Sequence, residues 1–449
     1  MTFAIPTAGA IYSILGNNNS LVPMAIKDIA NSTGLTAGSY ITGDKLEGKD
    51  RFIDEFGTQA IWLFGIPVYK KLIDYTMYKA LKIDPTFDVR NLSKKRSNLL
   101  KKSIEYADSS IKESMIKASK NPKYTKNLAM TKFIVSTALT IASYAGLTKY
   151  RHYKTKKDAE KEILAEMAKE KNNKKQYSDT FSYTTPTSEA FDNFKLKKQT
   201  TFTGNIQDFM YNSVKNLMIL DGAITAERLA ESRNKQELLG YTIKEGSVWL
   251  FMYFASKPIQ KFLENAAENN KKKPASIDLD ARVIESKELK EAFENGKLAE
   301  SSKKVLSLRT HEELLDFMHN NPDDFVVQMA KKSDILPTLK NATQNDNIDY
   351  RKYIDFDEFK GVAEKLDKLK NKFEEFKQAN VKEKTLDAFL NNVKKLKRRS
   401  ILKNMGACIG ALGILAPALM IAFRKFDKNN NAFQVKEDLK KELQAKGKI

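Results

Sequence analysis

The chain of 449 residues contains a single cysteine and three histidines. One thiol excludes a disulfide within the chain and any metal site built from several cysteines. Three histidines leave little material for a histidine-based zinc or iron centre. The sequence also lacks the GxxxxGK[ST] phosphate loop, the GxSxG nucleophile elbow, the GxGxxG dinucleotide fingerprint and the HExxH zinc motif. We therefore predict a protein that is not an enzyme, with no cofactor, no metal and no catalytic residue.

The charge balance is strongly positive, with 77 lysines and arginines against 56 aspartates and glutamates and a formal net charge of +21. Such an excess favours an anionic partner, either phospholipid or nucleic acid. A nucleic-acid surface needs basic groups interleaved with stacking aromatic residues, or a recognised reading motif. Here no such motif occurs, and the aromatic residues gather in uncharged stretches. We therefore expect an anionic phospholipid membrane as the partner and do not expect nucleic acid.

Charge is missing altogether from residues 1–26, 133–148, 246–256 and 405–423. The first stretch is interrupted by proline, glycine and asparagine, and we expect an extended arm there. The last is the clearest, because a helix of about 20 apolar residues crosses the ~30 Å hydrocarbon core of a bilayer. We predict a transmembrane helix over 405–423, with a core helix of a soluble protein as the alternative. Basic side chains that could reach lipid headgroups frame it on both sides: Arg398, Arg399, Arg424 and Lys425.

Small residues recur inside the predicted membrane helix, where Gly406 and Gly410 form a GxxxG pair and Gly413 lies nearly one turn further on. This spacing lets two helix backbones approach closely, so the three glycines are predicted helix-packing positions. A second apolar segment, 128–148, contains Lys132 and several hydroxyl side chains. It fits either a membrane helix packed against other helices or the core helix of a soluble protein.

Two shorter runs, 56–69 and 246–256, are rich in aromatic residues and contain both tryptophans of the chain, Trp62 and Trp249. Tryptophan favours the membrane–water interface, where its ring is half buried in the apolar layer. We therefore predict that Trp62 and Trp249 lie at a membrane interface. Short helices buried in a protein core are the alternative, because neither run is long enough to span a bilayer.

Similar sequence features occur in the same order in the two halves of the chain. Both tryptophans begin a Trp-Leu-Phe triplet, and a proline follows each triplet, at Pro67 and Pro258. Each half then continues through charged helical sequence to a long apolar segment, 128–148 in one and 405–423 in the other. These parallels predict an internal duplication with two hydrophobic units that pack together. Shared composition is the alternative explanation.

The fold class that we predict is mainly α, a membrane-associated helical protein with duplicated hydrophobic units and long charged helices. Its segments are a first helical repeat unit (1–175), a polar linker (176–205), the start of a second unit (206–270), a charged helical insert (271–400), and the transmembrane helix with a charged tail (401–449). Within the insert, 365–399 is the strongest helical pattern, with a break near 380–382. Residues 347–358 resemble part of a calcium-binding loop. The loop needs a carboxylate and a glycine where this chain has Arg351 and Lys352, so we expect an acidic helix start instead.

Together these features predict a non-enzymatic membrane protein, integral or peripheral, with a structural or interaction role and basic helices against anionic lipid. Helix–helix self-association or a protein partner would suit the glycine spacing. The alternative is a soluble helical scaffold or a non-specific nucleic-acid-binding protein. A small transporter component is a second alternative, but it would need ionisable residues inside its membrane segments, where the sequence offers only Lys132.

Overall fold

The computed structural model describes residues 7–17, 20–43, 45–93, 97–173, 210–232, 235–332, 342–344, 347–426 and 435–446. The protein is mainly helical, as predicted. In the first half the helices are α1 (Ala8–Gly16), α2 (Leu21–Thr42), α3 (Lys45–Ile73), α4 (Ser97–Tyr106), α5 (Ser109–Lys120) and α6 (Pro122–Asn173). A π-helical turn, Asp74–Tyr78, continues α3, and a 3₁₀ turn spans Val89–Leu92.

In the second half, α7 (Ser213–Ala230) and α8 (Lys235–Val248) are followed by a π-helical turn, Trp249–Phe254, and by α9 (Ser256–Glu268). Five short helices come next: α10 (Ala281–Ile284), α11 (Lys287–Glu294), α12 (Lys297–Ser307), α13 (His311–Asn320) and α14 (Phe325–Lys332). Strands β1 (Thr343–Gln344) and β2 (Asn347–Ile348) form an antiparallel pair. The last helices are α15 (Phe356–Gln378), α16 (Leu386–Gly410), α17 (Ala416–Phe426) and α18 (Val435–Ala445), with a π-helical turn, Ala411–Leu415, joining α16 to α17.

The expectation of an extended arm over residues 1–26 is wrong for the described part of that stretch, which forms α1 and the start of α2. Hydroxyl groups begin both helices: Thr7 accepts a hydrogen bond from the Ala10 amide, and Ser20 accepts one from the Val22 amide. Such N-caps satisfy amides that the first helical turn leaves without partners. Asn17 follows the last residue of α1 and Pro23 lies in the first turn of α2, where neither opposes a helix.

Capping also explains the helices of the predicted insert. The Asp355 carboxylate accepts hydrogen bonds from the amides of Asp357 and Glu358, which gives α15 the acidic start that the sequence predicts. The predicted break near 380–382 falls between α15 and α16. Thr385 then caps α16 by accepting a hydrogen bond from the Ala388 amide.

Within the described part of the chain, α2, α3, α6, α7, α8 and the α16–α17 rod pack side by side as an elongated bundle. The antiparallel pair α3 and α6 defines its two ends. At the distal end, the Thr155 hydroxyl donates to Asp50 over 2.6 Å. At the cap end, Lys132 pairs with Asp74, and its ammonium group lies 4.9 Å from the Tyr78 ring centroid.

A second body, the cap, covers one end of the bundle. Its hydrophobic core combines residues from 87–133 with residues from 267–393, including fully buried Met115, Leu289 and Phe359. The segment 271–400, predicted as a separate insert, therefore shares its core with α4, α5 and the first turns of α6. The apolar stripes of these helices are buried against one another, so the cap encloses a conventional protein core.

An ion pair fixes the loop that follows α3 to the cap. The Arg351 guanidinium lies 2.9 Å from the Asp84 carboxylate. Burial alone would raise the pKa of Asp84, but hydrogen bonds from Thr86 and Arg351 outweigh burial and hold this pKa below its usual value. The charged form of Asp84 is therefore the form that the fold stabilises.

The distal end of the bundle is held by α18. Leu439 and Leu443 pack against Leu46 of α3 and against Ala159 and Ile163 of α6. Ion pairs flank this contact, a half-buried one between Lys436 and Glu162 at 2.7 Å and an exposed one between Lys156 and Glu442 at 2.7 Å. Because α6 has 52 residues, it extends from the cap core past the whole bundle to this contact.

The helices of both halves follow the same alternation of direction. In the first half α2 runs from the cap end to the distal end, α3 returns, and α6 runs to the distal end again. In the second half α7, α8 and α16–α17 repeat this order. Asn173 therefore ends α6 beyond the distal end, whereas Met210 lies in the cap core. The internal duplication itself stays a prediction.

A close approach between helix backbones joins α2 to the π-helical turn between α16 and α17. A Cβ added at Gly34 would collide with the carbonyl oxygen of Gly413, and one added at Gly413 would lie 3.1 Å from the carbonyl oxygen of Ala30. Gly413 thus lies at a tight helix contact. Gly406 and Gly410, by contrast, have no atom of the described chain within 4 Å of an added Cβ. The GxxxG pair makes no helix contact within the described chain.

This difference gives a matched pair of substitutions. Gly34→Ala should destabilise the protein by about 1–3 kcal/mol, because the added methyl group forces α2 away from Gly413. Gly406→Ala should leave stability unchanged or raise it by up to about 1 kcal/mol, because alanine favours a helix and meets open space. Thermal unfolding of both variants in mild detergent, followed by circular dichroism, measures the difference. Equal unfolding temperatures for the two variants would contradict the close contact.

Candidate functional site: a buried charge network inside an apolar bundle

The bundle is apolar on its outside. Around its middle, the described helices expose large apolar side chains, of which Ile414 is 71% and Phe64 63% exposed, with Leu250 at 50%. No charged side chain of these helices is exposed within 52–69, 133–148, 238–256 or 404–423, or in α2. We call this surface, formed by these four ranges and α2, the apolar belt.

Charged residues of the bundle point inward instead. Together with one tyrosine they form a buried charge network, which comprises Asp50, Arg51, Asp54, Glu55, Arg151, Arg228, Glu237, Tyr241, Lys244 and Glu245. Helical periodicity explains how α3 contributes four of them: Asp50, Arg51, Asp54 and Glu55 fall at i, i+1, i+4 and i+5, which is one face of a helix. Arg151 comes from α6, Arg228 from α7 and the others from α8.

Asp54 lies at the centre of the network, between two arginines on different helices. One carboxylate oxygen is 3.2 Å from Arg151 of α6, and the other is 3.2 Å from Arg228 of α7. The Tyr241 hydroxyl accepts a hydrogen bond from Arg151 over 2.6 Å and donates one to Asp54 over 3.2 Å. Asp54 therefore joins four helices, α3, α6, α7 and α8, through charged hydrogen bonds.

Two further ion pairs link α8 to its neighbours. Glu245 accepts a hydrogen bond from Arg228 over 2.5 Å, and Lys244 lies 2.8 Å from Glu55. All four side chains are buried. Burying charges is costly, but an opposite charge within hydrogen-bond distance offsets much of that cost, so each pair depends on both of its members.

A small cavity of about 30 Å³ adjoins the network on its cap side. It lies between α2, α3, α7 and α8. Its walls contain four carboxylic acids, two basic side chains and apolar residues, and its lining comprises Asp28, Glu55, Thr58, Trp62, Asp221, Ile224, Arg228, Lys244, Glu245, Val248 and Met252. Polar groups converging on a cavity inside a bundle are typical of a binding site.

The two tryptophans do not occupy equivalent positions. Trp62 is only 4% exposed and packs inside the bundle against Met24 and Leu220. It cannot contact lipid headgroups, because neighbouring helices cover its ring. Trp249 is half buried, and its indole N–H donates a hydrogen bond to the Thr225 hydroxyl over 3.2 Å.

The predicted basic flanks fall at both ends of the apolar belt. Arg398 makes two hydrogen bonds of 2.8 Å to the Glu285 carboxylate, and Arg399 beside it is exposed. Both lie at the cap end. Arg424 and Lys425 belong to the last turn of α17 at the distal end, and their side chains fall outside the described part of the structure.

The sequence pointed to Lys132 as the one ionisable residue of the long apolar segments, and so it missed the network. Lys132 itself lies at the cap end, paired with Asp74. Apart from Arg151 and Arg228, the network residues directly precede the two aromatic runs instead of lying within them. The signal was the Asp50–Glu55 cluster before one run and the Lys244–Glu245 pair before the other. The spacing of each group places its charges on one face of a helix, but only the fold shows that this face is buried.

Removing the central carboxylate should have a large effect. Asp54→Asn leaves Arg151 and Arg228 buried without their shared counter-charge, and we expect a loss of about 3–5 kcal/mol of unfolding free energy. Glu300→Gln removes one member of the exposed Lys304–Glu300 pair and should cause no measurable change. Denaturant unfolding of both variants, followed by circular dichroism, tests this contrast. An Asp54→Asn variant as stable as the parent would contradict a central role for Asp54.

Comparison of this chain with protein-family models, with curated proteins and with solved structures finds no match. No function can therefore be transferred from a relative. The belt, the network and the cavity are properties of this chain's own residues, and any function has to follow from their chemistry.

Proposed function

We propose that the chain is a non-enzymatic membrane protein whose helical bundle lies within a lipid bilayer, with a structural or interaction role. The observation that supports this proposal is the direction of the charges in the bundle. Water-soluble proteins place charged side chains outside and apolar ones inside, because charge is costly to bury. This bundle has the opposite arrangement over its middle.

Two helices of the described chain are long and apolar enough to cross a membrane, Pro122–Lys169 and Leu386–Phe423. Length and composition alone are weak support, because core helices of soluble proteins have the same properties. Core helices, however, are mostly buried. The apolar windows of these two helices are only 39% and 33% buried, so most of their side chains need another covering. Lipid provides such a covering without any further partner.

The height of the apolar belt suits a bilayer. Its stretches hold 16–22 residues each, which at about 1.5 Å per residue gives about 24–33 Å. The hydrocarbon core of a bilayer is about 30 Å thick. Charged network residues at this depth are paired with one another, which is the condition under which a membrane interior tolerates them.

Exposed basic residues edge the belt where headgroups would lie. At the cap end they come from several helices: Lys71, Lys257, Lys261, Arg399 and Lys403. Lys49 and Lys149 lie at the distal end. Each basic group near an anionic bilayer surface contributes about 1 kcal/mol of attraction. Both ends of the belt therefore suit contact with anionic headgroups.

A soluble scaffold, with its belt covered by other protein chains, is the second candidate, and the connectivity of the helices favours it. Asn173 and Met210 lie at opposite ends of the bundle, so the chain between them links these ends. That segment, 174–209, contains lysines, aspartates and one glutamate and no long apolar run. Such a sequence does not cross lipid by itself, because its backbone and its charges would lose water.

The single cysteine makes a topology experiment possible. In a Cys408→Ala background, one cysteine is introduced either at exposed Lys303 in the cap or at exposed Lys157 beyond the distal end. If the bundle spans the bilayer, a membrane-impermeant maleimide added to sealed vesicles should label only one of the two positions. Detergent should then make both equally reactive, which serves as the control. Equal labelling in sealed vesicles would contradict the spanning arrangement and support the scaffold.

A second experiment tests the belt itself. Ile414→Glu places a charge in the belt, and it should reduce the fraction of protein that stays with membranes after alkaline carbonate washing. The matched control is Ile116→Glu, because Ile116 is also exposed but belongs to the cap. Immunoblots of pellet and supernatant measure both. Release of the unmodified protein by carbonate would overturn the integral-membrane proposal.

A further inference from the structure

The cavity beside the network contains more acid than base. Four carboxylic acids line it, Asp28, Glu55, Asp221 and Glu245, but only two cations, Arg228 and Lys244. If every group were ionised, the cavity would hold two uncompensated negative charges. Each such charge, buried away from bulk water without a counter-charge, costs several kcal/mol, so protonation of the acids is favoured.

The ion pairs of the cavity show which two of the four acids have no basic partner. Glu245 is bound to Arg228 and Glu55 to Lys244, each within ion-pair distance. Asp28 and Asp221 have no basic group within ion-pair distance among the described residues. Their contacts are neutral instead.

Asp28 and Asp221 each contact one neutral polar side chain. Asp28 accepts a hydrogen bond from the Gln59 amide over 3.3 Å, and Asp221 contacts the Tyr253 hydroxyl. The nearby buried amine of Lys27 donates to Ser256. The charged groups that face Asp28 and Asp221 across the cavity are thus the two ion pairs, whose members already offset each other.

A second, independent observation points to water in the cavity. Arg228 lines it and is only 5% exposed, yet its Nε–H group has no hydrogen-bond acceptor in the described structure. A buried donor without an acceptor costs about 1–3 kcal/mol. A cavity of about 30 Å³ has room for one or two water molecules, which could accept from Arg228 and bridge to the acids.

We propose that this cavity is a proton-binding site, in which Asp28 and Asp221 hold exchangeable protons beside the Arg228–Glu245 and Lys244–Glu55 ion pairs. The ligand is the hydrogen ion, because the described residues contain no group of acids, cysteines or histidines arranged to hold a metal ion. Protonation makes both aspartic acids neutral and lets them donate hydrogen bonds within the cavity. The site does not depend on whether lipid or protein covers the apolar belt.

Amide substitutions distinguish protonated from ionised acids. Asparagine resembles a protonated aspartic acid, so Asp28→Asn and Asp221→Asn should keep the unfolding temperature of the parent at neutral pH. Glu245→Gln removes one of the two carboxylate partners of Arg228, and it should lower the unfolding temperature strongly. If Asp28→Asn and Asp221→Asn lower it as much as Glu245→Gln does, both aspartates are ionised and the proposal fails.

A chemical experiment on the unmodified protein does not depend on the folding of any variant. A hydrophobic carbodiimide reacts with protonated carboxyl groups, and peptide mass spectrometry locates the product. We expect labelling at Asp28 and Asp221 but not at Glu55 or Glu245, in full-length protein in detergent at neutral pH. Once the pH exceeds the pKa values of the two aspartic acids, labelling should fall about tenfold per pH unit. Labelling confined to Glu55 and Glu245, or no labelling of any of the four acids, would overturn the proposal.

The two experiments also separate this proposal from the membrane proposal. The carbonate and maleimide experiments report on the covering of the belt, whereas carbodiimide labelling reports on the cavity. A protein that carbonate releases but that reacts at Asp28 and Asp221 would keep the proton site and lose the membrane function. The reverse result would keep the membrane function alone.

Discussion

The carboxylate of Asp54, between Arg151 and Arg228, is the interaction on which the bundle depends most. These three residues come from α3, α6 and α7, and Tyr241 adds α8 through hydrogen bonds to Asp54 and Arg151. An apolar contact between helices tolerates sliding, because it has no preferred direction. A buried charged hydrogen bond does not, because any displacement leaves a charge without its partner. The network therefore fixes the register of four helices, including helices from both halves of the chain.

Outside the network, packing is close where two glycines meet. Gly34 and Gly413 bring α2 and the α16–α17 rod together, which holds the second half of the chain against the first. The cap follows other rules, with a continuous apolar core and charges on its surface. One polypeptide thus contains two bodies with opposite arrangements of charge. The boundary between them lies where the exposed lysines begin, near Lys71, Lys257 and Lys403. Such a difference in charge distribution is expected if the cap lies in water and the bundle lies in an apolar phase.

The helical class and several helix boundaries could be predicted from the sequence, because they depend on local signals. Asp355 and Thr385 are caps that act within their own turn. Asp355 lies in the stretch where the sequence predicts an acidic helix start, and Thr385 follows the predicted break near 380–382. The burial of Trp62 could not be predicted, because a tryptophan in a short aromatic run fits an interface and a core equally well. The same holds for the network. Asp50, Arg51, Asp54 and Glu55 look like an ordinary charged helix face, and only the positions of α6, α7 and α8 turn that face inward. Nor does sequence spacing identify which glycine lies at a helix contact. Gly406 and Gly410 form the GxxxG motif, but it is Gly413 that packs closely against another helix.

The direction of the helices also constrains how the two halves could be related. Each half supplies three bundle helices, and both begin at the cap end, as Met210 in the cap core shows for the second half. Halves in the same orientation are related by an axis along the bundle, not by one across it. An odd number of helices per half then leaves the chain at the distal end, from which it has to return before the second half begins. A spanning bundle would need that return to be shielded from lipid, whereas a protein-covered bundle would need no such shield. The apolar belt and the connectivity thus favour different surroundings, and the side of the membrane on which the cap and the end of α6 lie decides between them.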